Sequence, residues 1–255
     1  MTSVASFALV AGLILAMGQV GVFGWLDPSE LTNKLPISGL QVGYYRGKCP
    51  DKSIDIQGFI EHIVEEHFYS DKTTLPAFLR MQFHDCFVNG CDASILIYGS
   101  ATERVHAANA GVREYDFLDD LKAKVETICP DTVSCADLIA IATTTVLKLL
   151  SEKCPQYQTS TEAVLLDQGG GGYLNYYSDD KFDVSFFHQI LQQRGVLTID
   201  QALARDPSTS NTVRSFAGSQ GLFNAILAQA MVKLQAVDVK TGLDGNIRKV
   251  CSKFN

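Results

Sequence analysis

The chain has 255 residues, of which 46% are hydrophobic and 19% charged, and this composition excludes disordered, collagen-like and coiled-coil proteins. Its 21 basic against 28 acidic residues give a formal net charge of −7, which disfavours nucleic acids and anionic lipid surfaces as partners. We therefore expect a globular protein with one large domain or two smaller ones.

The chain begins with an apolar segment. Residues 7–17 are uncharged and have the length typical of the hydrophobic core of a secretory signal peptide. We interpret residues 1–24 as a signal peptide, although cleavage as late as residue 39 is also compatible with the sequence. An uncleaved membrane anchor is the alternative, because apolar residues continue to Trp25. Residues 40–255 would then form a secreted, extracellular domain with no stable membrane partner.

Apolar residues recur at helical spacing through most of the remaining chain, which predicts an all-α fold. The segments with this pattern begin near Ile56, Thr74, Phe117, Ser134, Phe186, Val213 and Phe223. Ser134 and Asp137 resemble a capping box, and Gly195 is predicted to cap the helix that precedes it. Residues 94–98 are the only ones with an extended pattern, and residues 154–183, with four consecutive glycines, have the composition of a loop.

The densest group of reactive side chains lies in residues 79–94. Arg80 and His84 are four residues apart on a predicted helix, so both project from one face. A neutral imidazole can move a proton between the two oxygens of a peroxide, while a guanidinium stabilises the leaving negative charge. The pair therefore suits cleavage of an O–O bond, and a surface arginine beside a packed histidine is the simpler alternative.

A short glycine-containing turn follows this helix and is rich in the hard oxygen donors that calcium prefers. The candidate ligands are the carboxylates of Asp85 and Asp92, the carbonyls of Val88 and Gly90, and the hydroxyl of Ser94. Cys86 and Cys91 bracket the turn and are close enough in sequence to be bridged, which would pre-organise these oxygens. The alternative is an aspartate-rich helix end that carries a structural disulfide.

The segment Arg80-Met-Gln-Phe-His-Asp-Cys-Phe-Val-Asn-Gly-Cys-Asp-Ala-Ser94 resembles the distal signature of the secretory haem peroxidases of plants, the class III family. The likeness extends to residues 43–50, 102–103, 109, 129–130, 133–137, 182–183, 195–203, 228–233 and 245–251. It implies a helical haem-peroxidase fold with haem b and calcium as cofactors. It also implies that a secreted monomer uses hydrogen peroxide to oxidise small phenolic donors.

The same resemblance assigns roles to individual residues. His84 would be the distal acid and base, Arg80 the charge stabiliser and Asn109 the partner that orients His84, while Phe83 would join Arg80 and His84 at the haem. Asp85, Val88, Gly90, Asp92 and Ser94 would bind the distal calcium, with Glu103 acting through water. The disulfides of the family would pair Cys49 with Cys129, Cys86 with Cys91 and Cys135 with Cys251. Because the chain has seven cysteines, Cys154 would have no partner.

The likeness is interrupted near residues 150–154. The family carries a Gly-Ala-His-Thr-like motif whose histidine ligates the haem iron, and the sequence of this chain contains no such motif. We infer an internal deletion that removed this motif, a Gly-Arg-Arg-Asp region and the partner of Cys154. The proximal half of the fold is then incomplete and peroxidase activity impaired. Asp200 matches the aspartate that normally contacts the missing histidine, and His188 is a weak substitute for that ligand.

Two other interpretations stay open at this point. The chain could be a haem-free, calcium-binding extracellular pseudoenzyme, or a mis-spliced product that scarcely folds because removed helices expose apolar faces. Asp167 and Asp183 resemble parts of a second calcium site, which the four glycines and Lys181 argue against. The three other histidines, which are expected to be solvated or packed, are His62, His67 and His106.

Overall fold

A computed structural model describes residues 40–41, 43–71, 73–153, 184–195, 198–242 and 244–255. The predicted signal peptide, residues 1–24, and the predicted loop, residues 154–183, lie outside these ranges. Cys154, Asp167, Lys181 and Asp183 belong to that loop, so the expectations for them stay predictions.

The described residues form eight α-helices and three short 3-10 helices, and they contain no β-strand. The α-helices are α1 (Ile56–Ser70), α2 (Thr74–Cys86), α3 (Tyr115–Ile128), α4 (Cys135–Lys153), α5 (Ser185–Leu191), α6 (Thr198–Arg205), α7 (Ser210–Gly218) and α8 (Gln220–Leu234). The 3-10 helices are Ser94–Leu96, Glu103–Val105 and Ala107–Asn109. The predicted all-α class is confirmed. Among the helices of the described ranges, none is both long and apolar enough to cross a membrane.

The chain divides into two compact units, which differ in their covalent cross-links. The unit made of residues 26–149 and 231–255 contains three disulfides, Cys49–Cys129, Cys86–Cys91 and Cys135–Cys251, and we call it the disulfide unit. These are the pairs that the family resemblance implies. The described residues of the other unit are 150–153, 184–195 and 198–230, and we call it the aromatic unit.

In the disulfide unit, α1 packs against both α2 and α3. Ile56, Ile60 and Val64 recur on one face of α1 and are buried, as their spacing predicts. Helix α4 begins at the predicted capping box, because the Ser134 hydroxyl oxygen accepts the Asp137 N–H at 3.0 Å. The Asp137 carboxylate in turn accepts hydrogen bonds from the Ser134 hydroxyl and from the phenol of Tyr45, which joins the start of α4 to the residues before α1.

In the aromatic unit, α5, α6 and α7 contact one another. Three phenylalanine rings form the centre: Phe187 lies 5.3 Å from Phe216 and 4.9 Å from Phe223, measured between ring centroids. All three rings are buried. The Gln201 amide donates a hydrogen bond to the Ile190 carbonyl at 2.8 Å, which fixes α6 against the end of α5.

Two local predictions are wrong. Residues 94–98 do not form an extended segment, since residues 94–96 form a 3-10 helix that follows Ala93 in the left-handed conformation (φ 59°). The Asp85 carboxylate accepts the Ala93 N–H at 3.0 Å and so stabilises this conformation against the β-propensity of the segment. Gly195 also does not cap α5, because Gln193 adopts the left-handed conformation (φ 63°) and Arg194 N–H closes the helix on the Gln189 carbonyl.

Candidate active site

Helix α2 carries the first two candidate residues, Arg80 and His84. The carboxylate of Asp71 accepts hydrogen bonds from the Thr73 backbone N–H at 2.8 Å and from its hydroxyl at 2.6 Å, which shapes the turn that leads into α2. Ten of the 13 residues of the helix are buried, whereas Arg80 and His84 are partly exposed on one side. The helix therefore holds this pair on a rigid support.

The side chain of His84 is oriented by Asn109. His84 Nδ1 lies 2.6 Å from Asn109 Oδ1, and Asn109 Nδ2 donates to the Glu103 carbonyl at 2.7 Å. Because the amide nitrogen of Asn109 is committed to that carbonyl, its oxygen must accept, so the proton of the neutral imidazole resides on Nδ1. His84 Nε2 is therefore the nitrogen that can accept a proton.

Arg80 lies beside that nitrogen. Its Nε donates to His84 Nε2 at 3.3 Å, and its Nη2 donates to the Ala110 carbonyl at 2.9 Å. Burial lowers the pKa of His84, as does the charge of Arg80, while the hydrogen bond to Asn109 acts in the opposite direction. The imidazole is thus kept neutral beside a guanidinium, which is the state that general-base chemistry requires. No sequence pattern predicts that the Ala110 carbonyl accepts this hydrogen bond from Arg80.

Phe83, the other residue predicted to contact haem, is buried next to this pair. Its ring centroid lies 4.3 Å from that of Phe87 and 5.9 Å from the imidazole of His84, to which it is nearly perpendicular. The structure thus brings Arg80, Phe83, His84 and Asn109 together on one side of α2, as the resemblance implies.

The oxygen-rich turn begins at Asp85, whose carboxyl group is fully buried. Burial raises the pKa of Asp85 to about 7, and the negative charges of Asp92 and Glu103 act in the same direction. Hydrogen bonds from the Ala93 and Ile95 N–H groups oppose this rise. The Asp85 carboxyl group thus lies within the electrostatic influence of two other carboxyl groups, an arrangement that a bound cation would relieve.

The donors around this turn fit a hard cation. The Ser94 hydroxyl donates to Glu103 Oε1 at 3.0 Å, while Glu103 Oε2 is buried and has no hydrogen-bond partner among the described residues. In the same ranges, no three histidine, cysteine or acidic side chains form a ready metal-binding group. The predicted shell does not need one, because it combines the carboxylates of Asp85 and Asp92 with carbonyl and hydroxyl oxygens.

The sequence did not indicate how the turn is covered. Gly90 has a φ of 96°, and a Cβ added there would lie 2.6 Å from the Cβ of Asp238. Arg248 is buried and donates to the Ala93 carbonyl at 2.7 Å, and Lys240 pairs with Asp92. Lys240 and Arg248 lie 148 and 155 positions from their partners in the turn, so only the tertiary structure reveals these contacts, although Arg248 belongs to a segment that resembles the family.

The other candidate residues have local roles or lie in the aromatic unit. His62 pairs with Glu66 at 3.5 Å on the surface, and the Nδ1 of His106 accepts the Ala108 N–H. His67 contacts Glu114 at 2.8 Å and stacks on Phe117 with ring centroids 4.0 Å apart. These contacts agree with the solvated or packed roles expected for the three histidines. Asp200 is fully buried and His188 partly exposed within the aromatic unit.

Comparison with known proteins identifies the family. A model of the peroxidase family matches residues 60–153 and 144–219, which together cover more than half of the chain. The chain is 32% identical to Peroxidase 57 of Arabidopsis thaliana, over 85% of this chain and 93% of the relative. It is 30% identical to Peroxidase N1 of Nicotiana tabacum, over 85% of this chain and 91% of the relative.

These likenesses also bear on the length of the chain. Peroxidase 62 of Arabidopsis thaliana is 27% identical over 335 aligned positions that include 99% of both chains. Because this chain has 255 residues, a substantial part of that relative has no counterpart here. The names of the relatives favour the enzyme interpretation over the haem-free alternative. The motif around Arg80 and His84, the helical fold and these relatives together place the chain in the peroxidase family, among the class III peroxidases of plants.

Proposed function

We propose that this chain is a secreted peroxidase with a complete distal acid–base site and a deleted proximal site, so that its oxidation of phenolic donors by hydrogen peroxide is impaired. The observation that carries the proposal is the hydrogen-bonded series from Arg80 through His84 to Asn109. The three disulfides support an oxidising, extracellular location.

His84 has the state needed to move a proton. Asn109 retains the proton on Nδ1, and the lowered pKa keeps Nε2 free of a second proton. His84 Nε2 can then accept a proton from one peroxide oxygen and return it to the other, while Arg80 stabilises the negative charge on the leaving oxygen. Haem, when bound, would supply the redox-active iron that these side chains lack, and hydrogen peroxide is the oxidant.

We attribute the impaired peroxidase activity to the missing proximal histidine. The sequence has no Gly-Ala-His-Thr-like motif, and aligned relatives contain positions that this chain lacks. Within the disulfide unit, His62, His67 and His106 each have the local contacts described above. A histidine that ligates the haem iron would both retain haem and tune its iron, so we expect the loss of this residue to lower haem affinity and turnover together.

Steady-state oxidation of a phenolic donor, with haem and hydrogen peroxide supplied, tests this proposal. We expect the wild type to be far slower than a full-length relative and His84→Ala to be equally slow. His62→Ala is the matched control, because His62 lies on the surface. A fast wild type with a loss of about 10²- to 10⁴-fold in His84→Ala would show that the proximal side is intact. In that case, His188→Ala should lose the Soret band if His188 is the ligand.

We also propose that the turn from Asp85 to Ser94 binds calcium. The proposal rests on the negative charges of Asp92 and Glu103 near Asp85 and on the buried Glu103 Oε2. Calcium should raise the melting temperature of the wild type, because a ligand that binds only the folded state stabilises it. Asp92→Ala should abolish this rise, whereas Asp120→Ala, on the exposed face of α3, should retain it. Equal calcium responses in the wild type and Asp92→Ala would refute the site.

A further inference from the structure

A lysine of this chain occupies part of the proposed calcium site. Lys240 Nζ lies 2.7 Å from Asp92 Oδ2, although the two residues are 148 positions apart in the sequence. The other oxygen of that carboxylate, Oδ1, accepts the Ser94 N–H at 3.0 Å. One oxygen of Asp92 is thus engaged by the backbone of the turn and the other by Lys240, so an ion that binds the second oxygen must displace the ammonium group.

The segment that follows α8 fixes the position of Lys240. Cys91 N–H donates to the Val237 carbonyl at 3.0 Å, and Gly90 packs directly against Asp238. The Lys240 Cβ in turn lies 3.2 Å from the position that a Cβ on Gly245 would occupy. The backbone before Lys240 thus packs against the turn, and Lys240 itself lies close to Gly245. Half of the Lys240 side chain is exposed to solvent, and its ammonium group contacts Asp92.

We propose that Lys240 is a built-in competitor for the calcium of this turn, holding Asp92 until the ion displaces it. This inference rests on the proposed calcium site. A carboxylate oxygen that pairs with an ammonium group at 2.7 Å cannot also belong to the close shell of a calcium ion, because the two cations would repel each other. The half-exposed lysine can rotate into water, so displacement is inexpensive and calcium binding is weakened rather than prevented.

Arg248 differs from Lys240 in this respect. Its guanidinium is buried and donates to the backbone carbonyls of Ala93 and Cys251 at 2.7 and 2.8 Å. It therefore fixes the backbone of the turn without occupying a carboxylate that the ion needs. Of these two cationic side chains, only Lys240 competes with calcium for a carboxylate.

Calcium titration calorimetry of the full chain tests the inference. Lys240→Gln should lower the Kd for calcium about two- to five-fold, the range expected when an exposed ion pair is removed. Lys240→Arg keeps the competing charge and should bind like the wild type. Lys249→Gln is the matched control, because it removes the same charge from a surface pair with Asp131 in the same unit.

Each outcome decides the question. Tighter binding by Lys240→Gln, with Lys249→Gln and Lys240→Arg unchanged, supports the competitor. Equal affinities in all four proteins refute it and leave the calcium site standing, and an equal gain in Lys249→Gln refutes it as a general charge effect. If no protein of the set, Lys240→Gln included, binds calcium, the calcium site itself is wrong and the inference falls with it.

Discussion

The disulfide unit adds covalent cross-links to its apolar packing, whereas the described part of the aromatic unit has no cross-link. The disulfide unit has three covalent cross-links, two of which join residues 80 and 116 positions apart. The described part of the aromatic unit contains no disulfide and is centred on Phe187, Phe216 and Phe223. Cross-links restrict the unfolded chain, whereas apolar packing acts only in the folded state. The two units should therefore respond differently to the same kind of damage.

The candidate catalytic residues are also distributed unequally between the two units. His84, Arg80 and Asn109 lie in the disulfide unit, where backbone and side-chain hydrogen bonds fix them. The aromatic unit contributes Asp200 and His188, the two residues that the sequence suggests for the proximal side. We expect a site on a cross-linked scaffold to keep its geometry when distant parts of the chain are altered.

The largest effect is expected from removal of the Cys135–Cys251 disulfide. The double variant Cys135→Ser/Cys251→Ser should lose about 4 to 5 kcal/mol in the free energy of unfolding, because the bridge closes a long loop. Cys86→Ser/Cys91→Ser, which opens a loop of few residues, should lose only about 2 kcal/mol. Urea denaturation measures both. Equal losses would contradict the loop-length explanation.

Phe187→Ala should produce the next largest effect, in the aromatic unit. Truncation of this buried ring leaves a cavity against Phe216 and Phe223 and should cost about 3 to 5 kcal/mol. Hydrogen exchange should accelerate in α5 and α7 but stay unchanged in α1. Phe186→Ala, at a less buried neighbouring position, is the control. Equally faster exchange in α1 would contradict the separation of the two units.

Ser134→Ala tests the cap that starts α4 in the disulfide unit. The variant loses the acceptor of the Asp137 N–H and should cost about 1 to 2 kcal/mol, measured by thermal unfolding. Ser210→Ala, in the first turn of α7, removes a hydroxyl from the other unit without removing an N-cap and should cost less. A neutral Ser134→Ala would show that Tyr45 and Asp137 hold the start of α4 without it.

The smallest effect concerns Glu114, which precedes α3 in the left-handed conformation (φ 73°). Its carboxylate contacts His67, so both Glu114→Gly and Glu114→Ala lose that contact. Only glycine adopts this backbone conformation without strain. We expect Glu114→Gly to be more stable than Glu114→Ala by about 0.5 to 1 kcal/mol in thermal unfolding. The opposite order would show that the conformation is not strained.

Local sequence patterns determined much of this molecule. The apolar spacing of α1 predicts its buried face, and the capping box predicts the start of α4. The four-residue spacing of Arg80 and His84 predicts that they share a helix face, and the structure brings them within 3.3 Å. These predictions succeed because helix periodicity, capping and neighbouring positions on one helix are local properties.

Only the tertiary structure decided the remaining features. The orientation of Asn109 depends on the Glu103 carbonyl, and the left-handed Ala93 depends on the buried carboxylate of Asp85. The pairing of Lys240 with Asp92 joins segments 148 positions apart. Such contacts form only when distant segments pack together, and the hydrogen bonds that buried polar groups then require can override local propensity. The spacing of residues along the chain therefore does not predict these long-range contacts.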